Sequence, residues 1–308
     1  MNLRSVDLNL LVALDALLGE RHVTRAADRI GLSQPAMSNA LSRLRHLFKD
    51  ELLVRTAQGM QPTPRALELI GPTRQVLRQI ERVLETEAGF DAESAERVFN
   101  VRLSDVLGLM ILPDLLERLR LLAPHVGIDV LHLSPAQTIE ALEQDGIDIA
   151  LSMGLEHSAS IRREVILQDR MVCVMNEGHP LAQELMTLES FLAYRHLKVS
   201  MSPTDLRFVD DALTRQNLKR DVAANVPHWL LVPHLLRRTD LLSVMPGRLA
   251  TTIRNEGLVI RDLPFSSAPF EWTMYWHRRH ERNPALQWLR VQISEACKAL
   301  EKTEAFAP

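Results

Sequence analysis

Leu8, Leu11, Val12 and Leu14 recur at helical spacing between Asp7 and about Glu20, and Ala26, Ala27 and Ile30 form the packing face of a second short helix from Val23 to Ile30. Gly31 then supplies permissive backbone for a tight turn, Leu32 fills the angle between helices, and Ser33 stands where an N-cap belongs. Pro35 is tolerated in a first turn, so a third helix begins at Gln34. Its apolar positions Met37, Ala40, Leu41, Leu44 and Leu47 point inward, which leaves Gln34, Pro35, Ser38, Asn39, Ser42 and Arg43 facing out. The stretch ELLVRTAQGMQPT, 51–63, reads as a strand, a turn at Gly59 and a returning strand, with Arg55 on the hairpin.

From Thr63 a helical period resumes, with Ala66, Ile70, Leu77, Ile80 and Leu84 at near-heptad spacing. Pro72 after Gly71 predicts a kink or short break near residue 71. The polar segment ETEAGFDAESAER, 85–97, follows as a hinge, with little for that helix to cover, so the helix is expected to dimerise. Beyond it the pattern alternates between strand and helix. RVFNVRLS, GIDVLHLS and GIDIALSM are strands ending near Ser104, Ser134 and Met153, separated by two helical stretches, as in parallel α/β units. VILQDRMVCVMNEGHPL is a strand or crossover into a second series: HLKVS, helical TDLRFVDDALTRQN, KRDVAANV, helical PHWLLVPHLLRR, LLSVMP, helical GRLATTI and GLVIRDL. FEWTMYWHRRH is a further strand, and NPALQWLRVQISEACKALEK an amphipathic helix that returns to the first unit.

The expected architecture is therefore multidomain: an all-α winged helix-turn-helix over 1–62, a linker helix and hinge over 63–96, and an α/β domain over 97–308. The last divides into two Rossmann-like subdomains, about 97–165 with 270–308, and about 166–269, enclosing a cleft at the carboxyl ends of the strands.

Charge sharpens this picture. The net charge of -3 conceals nine Lys/Arg against six Asp/Glu in residues 1–65, and 27 against 33 in the remainder. Arg21, Arg25, Arg29, Arg43 and Arg45 crowd the helical segment, a basic face of the kind that nucleic-acid modules carry. Small side chains let a helix approach the major groove closely, Gln, Asn and Ser can read base edges, and flanking arginines can find phosphate or guanine. Cys173 and Cys297 lack disulfide-framework or metal-ligand spacing, and no stretch reads as a signal peptide or membrane span, so a cytoplasmic protein is expected. The chain has no GxSxG, HExxH, GxGxxG or Walker motif, and HRRH at 277–280 reads as a surface turn, so no catalytic residue, metal or cofactor is expected.

TRAADRIGLSQPAMSNALSRLR, the wing ending MQPTPRA, the helical linker and the two-lobed α/β remainder resemble the LysR-type transcriptional regulators over essentially the whole chain. VPHWLLVPHLLRRTDLLSVMP and MYWHRRHERNPALQWLR are similar to the subgroup of nodulation and aromatic-degradation activators. The resemblance implies a periplasmic-binding-protein-like effector domain, a homodimer or homotetramer on double-stranded promoter DNA, RNA polymerase as a partner, and a small aromatic co-inducer. It places DNA contacts at Arg25, Ser33, Gln34, Pro35, Ser38, Asn39, Arg43 and Arg55, and effector contacts at Ser104, Asp105, Met153, Asp169, Pro227, His228 and Trp229. With Pro227 at N1, His228 would sit in a helix first turn that favours an anion, with Trp229 as a stacking platform and Asp169 opposing a carboxylate. The competing readings are a solute-binding or metabolic α/β protein with an accessory helical domain, and a DNA-binding regulator that has no effector.

Overall fold

The computed structural model describes residues 7–57, 59–84, 89–200, 208–253 and 257–303, and the chain divides into two units, Met1–Ala88 and Gly89–Pro308. In the first unit α1 (Asn9–Glu20), α2 (Val23–Arg29) and α3 (Gln34–Phe48) precede a hairpin of β1 (Leu53–Thr56) and β2 (Gly59–Pro62), then α4 (Pro64–Leu84). The punctuation is local. Arg21 closes α1 in the left-handed region at φ 48°, Gly31 makes the turn before α3 at φ 69°, and the Ser33 hydroxyl accepts the Ala36 N–H at 3.3 Å.

Leu14, Leu17, Ala26, Met37, Leu44, Leu53 and Ala66 fill one core. On α1 the buried stripe is Leu10, Ala13, Leu14 and Leu17, whereas Leu8 and Val12, two of the residues whose spacing marks the helix, are 49% and 41% exposed. The helix is apolar on more than one face, so spacing alone does not choose which face meets α2, α3 and α4. Of the kink or short break expected near residue 71, the break is not seen: α4 runs unbroken through Pro72. Proline deletes one backbone donor, and here it does so on an exposed stretch where solvent can satisfy the released carbonyl. Ala66, Leu69 and Ile70 pack into the core beneath α1, so the first turns of α4 belong to the winged unit. The part of the linker and hinge reading that rests on 85–88 lies outside the described residues.

The second unit contains two five-stranded sheets. Its elements are β3 (Arg97–Arg102), α5 (Asp105–Leu122), β4 (Val126–Leu131), α6 (Pro135–Glu143), β5 (Ile149–Ser152), β6 (Ile161–Asp169), β7 (Met171–Asn176), α7 (Leu188–Ala193) and β8 (His196–Val199). There follow α8 (Phe208–Thr214), β9 (Val222–Val226), α9 (Val232–Leu236), β10 (Leu242–Pro246), α10 (Gly247–Thr252), β11 (Leu258–Arg261), β12 (Phe270–His277) and α11 (Pro284–Thr303). The strand orders are β4-β3-β5-β12-β6 and β11-β7-β10-β8-β9. Both sheets are mixed, not wholly parallel: β12 runs antiparallel to β5 and β6, and β7 antiparallel to β10 and β11. Those are the strands that enter a sheet directly from its neighbour, without the helical crossover that keeps strands parallel. The expected helix 204–217 is seen as α8; its residues 204–207 lie outside the described residues.

The segment left open as strand or crossover is both, since β6 ends at Asp169 and β7 begins at Met171 in the other sheet. β12 and α11 return to the first subdomain, where Arg118 of α5 donates to Gln292 Oε1 at 3.0 Å. HRRH is not a surface turn at its histidines. His277 and His280 are buried, with His280 Nε2 2.7 Å from Asp145 Oδ1, because the α6–β5 turn folds Asp145 under them. Among the described residues no group of three potential ligands could hold a metal ion.

Another histidine reports on stability. His196 opens β8 fully buried, 3.0 Å from the Phe191 carbonyl, with no hydrogen-bond partner for Nδ1 among the described residues. Burial, reinforced by the Arg220 charge, lowers its pKa to about 4. The unfolded chain takes up this proton near pH 6.5 and the folded chain only near pH 4, so the stability present above pH 6.5 falls as the pH drops through that window. Linkage puts the loss at about 3 kcal/mol. Urea unfolding of the parent should steepen with acid over this range more than that of His196→Gln; equal pH slopes would refute the assignment.

Candidate functional site

The first unit presents α3 as a helix with two faces. Met37, Leu41 and Leu44 are buried, while Ser33, Gln34, Pro35, Ser38, Asn39, Ser42 and Arg43 are exposed. Gln34 Nε2 donates to Ser38 Oγ at 3.0 Å, which pre-orders two hydrogen-bonding side chains at the start of the helix. Arg45, on the inner flank, donates to the carbonyls of Glu51 and Leu53, both at 2.8 Å, and so fastens the hairpin to α3. Arg55 projects from β1 exposed, with no ion-pair partner among the described residues.

The basic face is more neutralised than the sequence suggests. Arg25 pairs with Glu20, Arg43 with Asp7 at 3.1 Å, and Asp15 receives both Arg29 at 3.2 Å and Arg74 at 2.7 Å. The Asn9 backbone N–H and Arg43 hold the Asp7 carboxyl below its ordinary pKa, against the opposing effect of desolvation. Exposed pairs of this kind contribute only about 0–1 kcal/mol, so Arg25 and Arg43 can exchange a carboxylate for a phosphate at little cost. The three-helix tie through Asp15 is a framework feature that composition does not disclose.

In the second unit the expected effector residues separate. Ser104 precedes α5 in N-cap geometry, yet its hydroxyl makes no capping bond. The Asp105 carboxylate accepts the Trp229 backbone N–H at 2.8 Å, joining the first helix of one subdomain to the other, with His228 Nδ1 3.9 Å away. Pro227 is not at the N1 position of a helix. His228 instead caps a single 3-10 turn, Trp229–Leu231, and α9 begins only at Val232, with Pro233 in its first turn. Val232, before Pro233, keeps α geometry, but Pro233 has no N–H to donate back to the Trp229 carbonyl, so a 3-10 turn and a separate short helix meet there. Trp229 is buried in the core and offers no open stacking face, whereas Pro227 and His228 are exposed.

Asp169 does not face a ligand either. It is buried and accepts from Trp272 Nε1 at 3.1 Å and from the backbone N–H groups of Arg170 at 2.8 Å and Arg248 at 3.2 Å. Burial raises its pKa despite these donors. Only Met153 of the expected set lines the cavity between the subdomains, a space of about 680 Å³. The residues that sequence reasoning missed there include Arg163, Gln168, Phe208, Asp211, Phe270 and Glu271. Phe208 of α8 stacks on Phe270 of β12, centroids 5.7 Å apart and planes 19° from parallel. Asp210, held by Lys198 and Arg220 at 2.8 Å each, anchors the helix that carries Phe208. Although burial opposes it, these two cations keep the Asp210 carboxyl below its ordinary pKa.

Residues 8–67 match the family model described as bacterial regulatory helix-turn-helix protein, lysR family, and residues 92–298 match the LysR substrate binding domain. The HTH-type transcriptional activator NahR of Pseudomonas putida is 36% identical over 291 residues, 94% of this chain and 97% of that protein. Nodulation protein D 2 of Sinorhizobium fredii (strain NBRC 101917 / NGR234) is 34% identical over 96% of both chains. The crystal structure of the probable transcriptional regulator PA0477 from Pseudomonas aeruginosa superposes with a TM-score of 0.80 at 34% identity, covering 94% of this chain and 97% of that one.

The Asp105–Trp229 bond has a measurable consequence. A hydrogen bond to a carboxylate contributes about 1.5–3 kcal/mol. In Asp105→Ala the Trp229 amide should therefore exchange with deuterium at least tenfold faster than in the parent, with little change in the α11 amides. Unchanged protection at Trp229 would show that this contact does not hold the subdomains.

Proposed function

The chain belongs to the LysR family and is a DNA-binding transcriptional regulator, not an enzyme; from that premise we propose how its own residues divide the work. α3 enters the major groove through Ser33, Gln34, Pro35, Ser38 and Asn39, where short uncharged side chains permit close approach and hydrogen bonding to base edges. Arg25, Arg43 and Arg55 take phosphates, the first two by leaving their intramolecular carboxylates. The observation that carries this reading is the exposed small polar face of α3, capped by Ser33 and backed by a fully buried Met37 and Leu44.

The remainder of the proposal concerns assembly and response. Leu67 and Val76 leave apolar surface on α4, 52% and 39% exposed, which suits a homodimer or a homotetramer with half-sites spaced along promoter DNA. A small aromatic effector occupies the cavity beside Met153 and Phe208, and the Asp105–Trp229 contact reports whether the subdomains are closed. Ser104, Pro227 and His228 are not among the residues that line the cavity, and Asp169 stands at the crossing from β6 to β7. As in the activator NahR, the output is activation, with RNA polymerase the partner, in the cytoplasm where the DNA is. No helix among the described residues is long and apolar enough to cross a membrane.

Footprinting on the intergenic DNA upstream of its own gene, with aromatic acids, amines and phenols added in turn, tests the reading. Asn39→Ala should lose specific protection, an effect of about 1–3 kcal/mol, with its oligomeric state unchanged. Arg55→Ala should weaken binding to all sequences and lower the salt slope by about one. Parent-like specificity in Asn39→Ala would remove α3 from the reading role, and a footprint that no compound alters would leave a regulator without an effector.

A further inference from the structure

Along the β6–β12 pair the cavity is lined by two opposite charges at different levels of the sheet, Arg163 and Glu271, and Asp211 of α8 is a third charged residue of its wall. Glu271 stands across from Gln168 in the register, and Arg163 across from Tyr275, with Thr273 between them on β12. Four residues of strand separate the two positions, about 13 Å at the usual rise. Among the described residues no ion pair joins the two, and neither has another ion-pair partner. The apolar wall spans the subdomains: Phe270 meets Trp272 edge-on at 5.4 Å and carries Phe208 stacked over it, with Met153 also lining the cavity.

The usual place for a bare anion, the start of α5, is already occupied by the chain's own Asp105, held to Trp229. A ligand bearing only a carboxylate would satisfy Arg163 and leave its far end beside Glu271, where a second negative group is repelled and a proton donor is favoured. We propose that the cavity selects an elongated aromatic ligand with an acid at one end and an ammonium or other proton-donating group at the other. The acid meets Arg163, the donor meets Glu271 and Gln168, and the ring lies against Phe208 and Phe270. The proposal rests on the reading of this cavity as the effector site and names the ligand class that the site takes.

The test is calorimetric titration of the full-length protein with 4-(aminomethyl)benzoate, benzoate, 2-hydroxybenzoate and benzylamine, with the footprint repeated for each. The amphoteric compound should bind with a Kd at least tenfold below those of the three others. Glu271→Gln should erase its advantage over benzoate, and Arg163→Gln its advantage over benzylamine, while both variants keep the parent's circular dichroism and melting temperature. Both side chains are exposed, so neither change threatens the fold. If benzoate or 2-hydroxybenzoate binds as tightly as the amphoteric compound, or if Glu271→Gln leaves the preference intact, the proposed ligand class is wrong and the effector site stands. If no compound binds or alters the footprint, the effector reading itself falls, and this proposal with it.

Discussion

Two crossings join the sheets of the second unit, β6 to β7 and β11 to β12, and a single carboxylate organises the first. Asp169 is the last residue of β6, Met171 the first of β7, and between them the chain passes from one subdomain to the other. The Asp169 side chain accepts from Trp272 on the returning strand β12, from the Arg170 amide at the crossing itself, and from the Arg248 amide at the start of α10. The Gly247 N–H donates to the Arg170 carbonyl at 2.7 Å, and a Cβ at Gly247 would approach that carbonyl to 3.2 Å. Both strands of the crossing and the neighbouring helix are thus registered against one buried group. Such a group is costly to bury unless its hydrogen bonds are made, and here they are made by elements of both subdomains.

The first unit solves a different problem, that of keeping a basic surface stable before it meets DNA. Five arginines on a seven-residue helix, a fifteen-residue helix and the turns beside them would repel one another. Glu20, Asp15, Asp7 and Glu51 each sit within 3.5 Å of one of them, so the unbound unit carries a pattern of weak exposed pairs. Since such pairs contribute little, they quiet the repulsion without competing strongly against phosphate. Arg45 is different in kind. Its bonds to two backbone carbonyls of the hairpin couple the wing to the helix, which makes the position of Arg55 depend on α3.

Local signals in the sequence reached local structure. The Gly31 turn, the Ser33 cap, the hairpin at Gly59 and the strand series from Arg97 to Ser152 were all readable, because each depends on residues a few positions apart. What failed depended on distant neighbours. Leu8 and Val12 share the helical spacing and yet are exposed, because spacing does not say which of two apolar stripes meets the partner. His277 and His280 are buried by Asp145, 135 residues away from the second of them, and Asp169 is drawn from the cleft by Trp272, 103 residues on. The cavity wall was the least legible part. Phe208 and Phe270 touch across subdomains and share no motif, and the charged pair Arg163 and Glu271 becomes a pattern only once β6 and β12 lie side by side.

These placements bear on how a ligand could change the molecule. Asp105 and Asp169, the two carboxylates expected to face the cleft, are instead engaged by backbone and indole donors, one between subdomains and one at their β6–β7 crossing. Selection therefore falls to groups with no such duty, and these lie on both sides of the gap: Phe208 on one subdomain, Phe270, Arg163 and Glu271 on the other. A ring that touches both aromatic side chains is fully contacted only when the subdomains are together, and an aromatic contact of this type adds about 0.5–1.5 kcal/mol beyond area burial. A ligand moves an equilibrium only by its difference in affinity for the two states. A cavity whose walls belong to different subdomains, with the Asp105–Trp229 bond spanning them and a buried carboxylate at their crossing, places that difference where a small molecule can supply it.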